Sequence, residues 1–236
     1  ESGQRRGQAS VNANYDNKVA VLVGDFILST ALLNVSYTHS QIIVQYLAEL
    51  GRTLSNGEIL QLSAVGSNEI SEETYFDIIR RKTAALFEAC ARIGAESADA
   101  TPEQVEAAAK FGQLLGIIFQ IRDDIFNYHP ASDIGKPTGN DLKEGKLTLP
   151  LIHALLTTGN KDMLCLARKA KKGLANADEI DVLLQFAKQN GGIEYAERCM
   201  QKFYEQAQEF ITKYANNAEV SPSLQAYLDY VVQRKL

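Results

Sequence analysis

Two adjacent carboxylates, Asp123 and Asp124, stand near the end of the apolar run FGQLLGIIFQIRDDIFNY. With Gln113, Gly116, Gln120 and Asn127 they recur every three or four residues, which stacks them on one face of a helix that is otherwise mostly Leu, Ile and Phe. A helix apolar on nearly every side is buried, so its polar line faces either partner groups in the core or a polar cavity. We read the line as the wall of a cavity. Neighbouring carboxylates repel one another there unless a cation joins them. Mg²⁺ takes one or two carboxylates and fills its other positions with water and phosphate oxygens. The loop that follows carries Gly135, Pro137, Gly139 and Gly145 together with Lys136, Lys143 and Lys146, and lysines suit phosphate oxygens. Together these residues describe a site for a Mg²⁺-bound diphosphate at the mouth of an apolar pocket. A further cation, Lys82, interrupts the stripe Tyr75, Ile78, Ile79, Ala85, Leu86, Ala89, Ile93. It either snorkels to water at the edge of that stripe or points into the same cavity.

FQIRDDIFN followed by GKPTGNDLKEGKLTLPLI resembles the second aspartate-rich motif, and the loop after it, of the trans-prenyl diphosphate synthases, the polyprenyl synthetase family. The specificity lies in the loop, because aspartate pairs alone are common. The bland alternative is a buried helix whose carboxylates pair with core arginines. The resemblance implies a prenyltransferase, a medium- or long-chain member, joining an allylic diphosphate head-to-tail to isopentenyl diphosphate by Mg²⁺-assisted ionisation. It implies a metal site at Asp123 and Asp124, with Asp123 the principal ligand, because Asn127 stands where the family often has a third aspartate. Lys82-Thr83 matches the family's lysine–threonine pair: the lysine binds the allylic diphosphate, while the threonine oxygen, with Gln120, faces the developing carbocation. Lys136 and Lys146 correspond to diphosphate-binding lysines, Lys146 acting on loop closure. Near the start, RRG places Arg5 on the allylic and Arg6 on the isopentenyl diphosphate; without the resemblance it reads as a solvated turn. No histidine base is implied, and His39, His129 and His153 receive no role. A homodimer is expected on the same ground.

In the family a first aspartate-rich motif precedes RRG closely, whereas this chain starts at Glu1 without one. The expectation is therefore the larger, C-terminal part of a full synthase. The alternative is a chain that naturally lacks half the metal site, a non-catalytic partner subunit of a heteromeric prenyl diphosphate synthase.

The elements that must position these residues read as helices almost throughout. Helical periodicity places them near 18–36, 39–52, 55–66, 71–95, 102–128, 148–157, 160–172, 177–190, 192–215 and 221–234, with Ser71 capping the fourth and Asn56-Gly57 lying between two of them. The fold class expected is all-α, a single-domain antiparallel helical bundle over 1–236 around a central cavity, of the isoprenoid synthase type. Asp25 is expected to be buried in the run VAVLVGDFIL, paired with a cation. Net charge is −5 with mixed signs, which gives no face for nucleic acid. Cys90, Cys165 and Cys199 form no CxxC pair, which suggests reduced thiols, a cytoplasmic setting and no zinc. No transmembrane segment is expected, for want of an apolar run near spanning length.

Overall fold

The computed structural model describes residues 3–5, 8–129, 139–215 and 217–234, with the backbone alone at 4 and 5. They fall in two compact units, Glu1–Glu49 and Leu50–Leu236. Apart from one antiparallel ribbon, β1 (Gln4–Arg5) against β2 (Gln8–Ala9), the regular structure of the described residues is helical, as expected.

In the first unit, α1 (Val11–Asn14) leads into α2 (Asn17–Ser36), whose start is capped by Asp16 accepting the Val19 amide at 2.7 Å. The sequence expectation fails here. Asn17–Ser36 is long and apolar enough to cross a membrane, its most apolar 18 residues having a mean hydropathy of 1.8, and none of its residues is buried. Reading for an unbroken run missed it because Gly24, Asp25, Ser29 and Thr30 interrupt a stretch whose average remains high. Asp25 is accordingly exposed, not buried.

α3 (Gln41–Gly66) is one helix where two were expected. Asn56-Gly57 lies inside it because Gly57 is a contact point: a Cβ there would sit 3.0 Å from the Arg81 Cβ and the Lys82 amide nitrogen.

In the second unit, α4 (Glu72–Ile79) starts under the Ser71 cap, whose hydroxyl accepts the Thr74 amide at 3.2 Å. It then widens into a π turn, Arg80–Ala84, before α5 (Ala85–Glu96). The extra residue shifts the register. Ala84, five positions after Ile79, then packs on Gly116 of the central helix, followed by Phe87 and Ala91. This corrects the predicted stripe, since Leu86 is 49% exposed and Phe87 packs on the core instead.

The central helix is α6 (Pro102–Phe126), begun by a capping box of Thr101 and Gln104 with Pro102 in the first turn. It buries Leu114, Ile117, Ile118, Ile121 and Ile125 to 2% exposure or less. Against it pack α5, α8 (Leu149–Thr158), α11 (Gly192–Tyr214) and α12 (Val220–Gln233). Gly112 and Gly116 permit the closest approach: a Cβ on Gly116 would lie 2.4 Å from the Ala84 Cα. A short α7 (Asn140–Lys143) precedes α8, and α9 (Lys161–Lys171) and α10 (Ala177–Gln189) build a second core around Leu151, Leu155 and Leu183.

Candidate active site

The polar line of α6 is one face, but the elements covering it differ along its length. Toward its start α5 and the end of the π turn cover it, with the Gln113 amide donating to Glu88 at 3.0 Å and Gly116 packed on Ala84. The cavity opens only from Gln120 onward. It encloses about 330 Å³ where α3, α4, the π turn, α6 and residues 141–148 converge. Ile78, Ile79, Leu147 and Ile152 form its apolar wall, and Lys82, Thr83, Gln120, Asp124, Asp141 and Lys146 its polar one.

Three of the expected residues join in one hydrogen-bonded row. The Thr83 hydroxyl donates to Gln120 Oε1 at 2.7 Å, the Gln120 amide donates to Asp124 Oδ1 at 2.8 Å, and the Tyr75 hydroxyl donates to Asp124 Oδ2 at 2.7 Å. The π turn makes this possible by turning Thr83 toward α6. Asp124 is 3% exposed. Burial first, and the facing Asp141 carboxylate second, push its carboxyl up to about 8, against the two hydrogen bonds that favour the anion. Burial first, and the adjoining Asp124 carboxyl second, hold the Tyr75 phenol well above its ordinary range.

Asp141 is a site residue that the sequence reading passed over. Asn127 does not line the cavity; its amide donates to Asp141 Oδ2, so it orients a carboxylate. Gly139, with φ of 69°, turns the chain into α7, on which Asp141 meets the Asn127 amide. Lys171 was passed over too. It is 7% exposed in the cavity wall, and its ammonium donates to the Glu69 carbonyl at 2.6 Å.

Asp123 points elsewhere. Successive helical residues are turned by about 100°, and Asp123 Oδ1 meets Arg234 Nη2 at 2.6 Å. Lys82 lines the cavity while pairing with Glu58 at 2.9 Å and donating to Gln61 at 3.0 Å. Lys146 pairs with Glu144. Arg6 and Lys136 lie outside the described residues, as does the side chain of Arg5. Among the described residues no group of three acidic, histidine or cysteine side chains stands ready to hold a metal. Two facing carboxylates, one kept protonated for want of a counter-charge, instead fit an ion that draws its remaining ligands from water and phosphate.

A family model described as Polyprenyl synthetase matches residues 1–186. An octaprenyl diphosphate synthase of Haemophilus influenzae is 37% identical over 212 residues, which are 89% of this chain and 63% of that protein. The solved geranylgeranyl pyrophosphate synthase from Bacteroides thetaiotaomicron superposes with a TM-score of 0.89 at 46% identity, covering 95% of this chain and 74% of that one. A polyprenyl synthase from Caulobacter crescentus, solved with calcium and isoprenyl diphosphate, superposes with a TM-score of 0.90 at 28% identity over 100% of this chain and 72% of its own. This chain thus spans less than two thirds of the length of the Haemophilus protein.

Proposed function

The chain belongs to the polyprenyl synthetase family, and from that premise we propose that it acts as a trans-prenyl diphosphate synthase, a prenyltransferase condensing an allylic diphosphate with isopentenyl diphosphate into a medium- or long-chain product. The observation that carries the reading is the row Thr83–Gln120–Asp124 on the wall of a cavity that Lys82 and Lys146 also line. In this reading Asp124 and Asp141 hold Mg²⁺ with Asp123 beside them, and Asn127 positions Asp141. Bound Mg²⁺ neutralises charge on the departing diphosphate. Lys82, Lys146, Lys136 and Arg5 bind diphosphate oxygens, and Arg6 holds isopentenyl diphosphate. Lys82 exchanges Glu58 and Gln61 for phosphate as it does so. The Thr83 and Gln120 oxygens lie beside the carbon that becomes positive, and Ile78, Ile79 and Ile152 exclude water from it.

The family model runs across the junction at Glu49 and Leu50, which supports one polyprenyl synthetase domain built from both units. The exposed apolar side chains of α2, among them Leu22 at 65% and Phe26 at 72%, support a homodimer in which a second copy covers them. Three free thiols support a cytoplasmic setting. The test is incubation with an allylic diphosphate and labelled isopentenyl diphosphate. Labelled polyprenyl diphosphate formed only with Mg²⁺ is expected. Binding of both substrates with no product in any metal would support the partner-subunit reading instead.

A further inference from the structure

Lys171 is a buried cation that the proposed mechanism leaves unused. It ends α9, is 7% exposed, and its ammonium donates to the Glu69 carbonyl at 2.6 Å; both residues line the cavity. Among the described residues that carbonyl is its one hydrogen-bond partner, and no carboxylate forms an ion pair with it. Burial lowers the amine's hold on its proton, opposed by the Glu69 carboxylate and reinforced by the Arg168 guanidinium. A charge taken out of water without a paired counter-charge is costly. Tying down the turn between α3 and α4 does not account for it. Arg168, exposed and one turn earlier on α9, already donates through Nε to the neighbouring Asn68 carbonyl at 3.2 Å. A neutral amide would serve the Glu69 carbonyl without the charge.

The other contact of Lys171 points to what the charge is for. Gly145, with φ of 77°, packs on it so closely that a Cβ there would lie 2.6 Å from the Lys171 carbonyl oxygen. The turn around Gly145 is closed by the Lys146 amide donating to the Asp141 carbonyl at 2.8 Å. The segment that carries Asp141 and Lys146 is thus seated on the residue whose own side chain lines the same cavity. We infer that Lys171 is a further diphosphate-binding residue: its ammonium, with that of Lys146, donates to oxygens of the Mg²⁺–diphosphate held at Asp124 and Asp141. An ammonium has three donors, so the Glu69 carbonyl and a phosphate oxygen can share it, and the anion supplies the missing counter-charge. The inference rests on the family reading above.

The test is calorimetry with inorganic pyrophosphate and Mg²⁺ on the wild type, K171Q and K171R, with a thermal melt of each. Glutamine keeps a donor for the Glu69 carbonyl and drops the charge. K171Q should bind pyrophosphate about tenfold or more weakly and with a shallower salt dependence, and K171R should recover most of that loss. A K171Q that folds and loses less than about tenfold overturns the inference, since a tether or a distant charge would do no more. Equal losses in K171Q and K171R overturn it too, because they would report side-chain fit and not charge. If K171Q does not fold, NMR of the wild type with ¹³C-dimethylated lysines decides. The Lys171 signal, identified by its loss in K171R, should move when Mg²⁺ and pyrophosphate are added, and a signal that stays in place overturns the inference. A wild-type chain that binds no pyrophosphate overturns the family reading of the site, and the inference with it.

Discussion

Replacing Asp124 by asparagine should stabilise the metal-free protein while destroying its site. The carboxyl is 3% exposed and held protonated up to about 8, against an ordinary value of 3.8. Between those values the unfolded chain has released this proton and the folded chain keeps it, so the group's contribution to stability falls as pH rises and levels off above about 8. The slope is at most about 1.4 kcal/mol per pH unit. Water entry reduces the total to a few kcal/mol. Asparagine carries no such charge. It preserves the row by reversing it: Tyr75 donates to the asparagine oxygen, the new amide donates to Gln120 Oε1, and a flipped Gln120 donates to Thr83, whose hydroxyl accepts as readily as it gives. Urea denaturation in metal-free buffer should show wild type and D124N within about 1 kcal/mol at pH 5, and the variant ahead by roughly 2–4 kcal/mol at pH 8.5. Equal stabilities at pH 8.5, or a wild type that gains on the variant with rising pH, would refute the reasoning.

Further expectations follow from the same geometry. Mg²⁺ must displace the Asp124 proton, so its affinity with pyrophosphate should rise from pH 6 to about pH 8 and then level off, with proton release visible as a buffer-dependent calorimetric enthalpy. Gly116→Ala pushes a methyl to 2.4 Å from the Ala84 Cα and should cost about 2 kcal/mol or more, whereas Gly94→Ala, with nothing within 4 Å in the same helix pair, should gain about 0.5–1 kcal/mol; thermal melts separate them. Lys82→Met should weaken allylic diphosphate binding about tenfold or more in calorimetry with little change in melting temperature, because its partner Glu58 is 56% exposed. If the proposed homodimer forms through α2, Phe26→Glu should convert it to a monomer in analytical ultracentrifugation, since Phe26 is 72% exposed in the single chain.

Periodicity was enough to find most helices, because burial of one face imposes it, and the cap at Ser71 follows from local hydrogen-bond needs. What periodicity could not show is a change of period. The π turn at Arg80–Ala84 leaves no mark in residue types, yet it moves the buried face from Leu86 to Phe87 and brings Thr83 to Gln120. Asn56-Gly57 was expected between two helices; the role of Gly57 is to admit Arg81 and Lys82, a long-range fact. At the site, spacing on α6 placed Gln120 and Asp124 together. It also placed Asp123 with them, although 100° of rotation sends it to Arg234, 111 residues away in sequence. Asp141 and Lys171 were invisible for the same reason, since only the folded chain brings them to the cavity.

The most direct test of the account is a crystal structure of the protein with Mg²⁺ and a non-hydrolysable allylic diphosphate analogue. The account predicts metal on Asp124 and Asp141, diphosphate oxygens within hydrogen-bond reach of Lys82 after it leaves Glu58, and the analogue's first carbons beside Thr83 and Gln120. An analogue bound elsewhere, or a cavity in which Asp124 still holds only Tyr75 and Gln120, would contradict it.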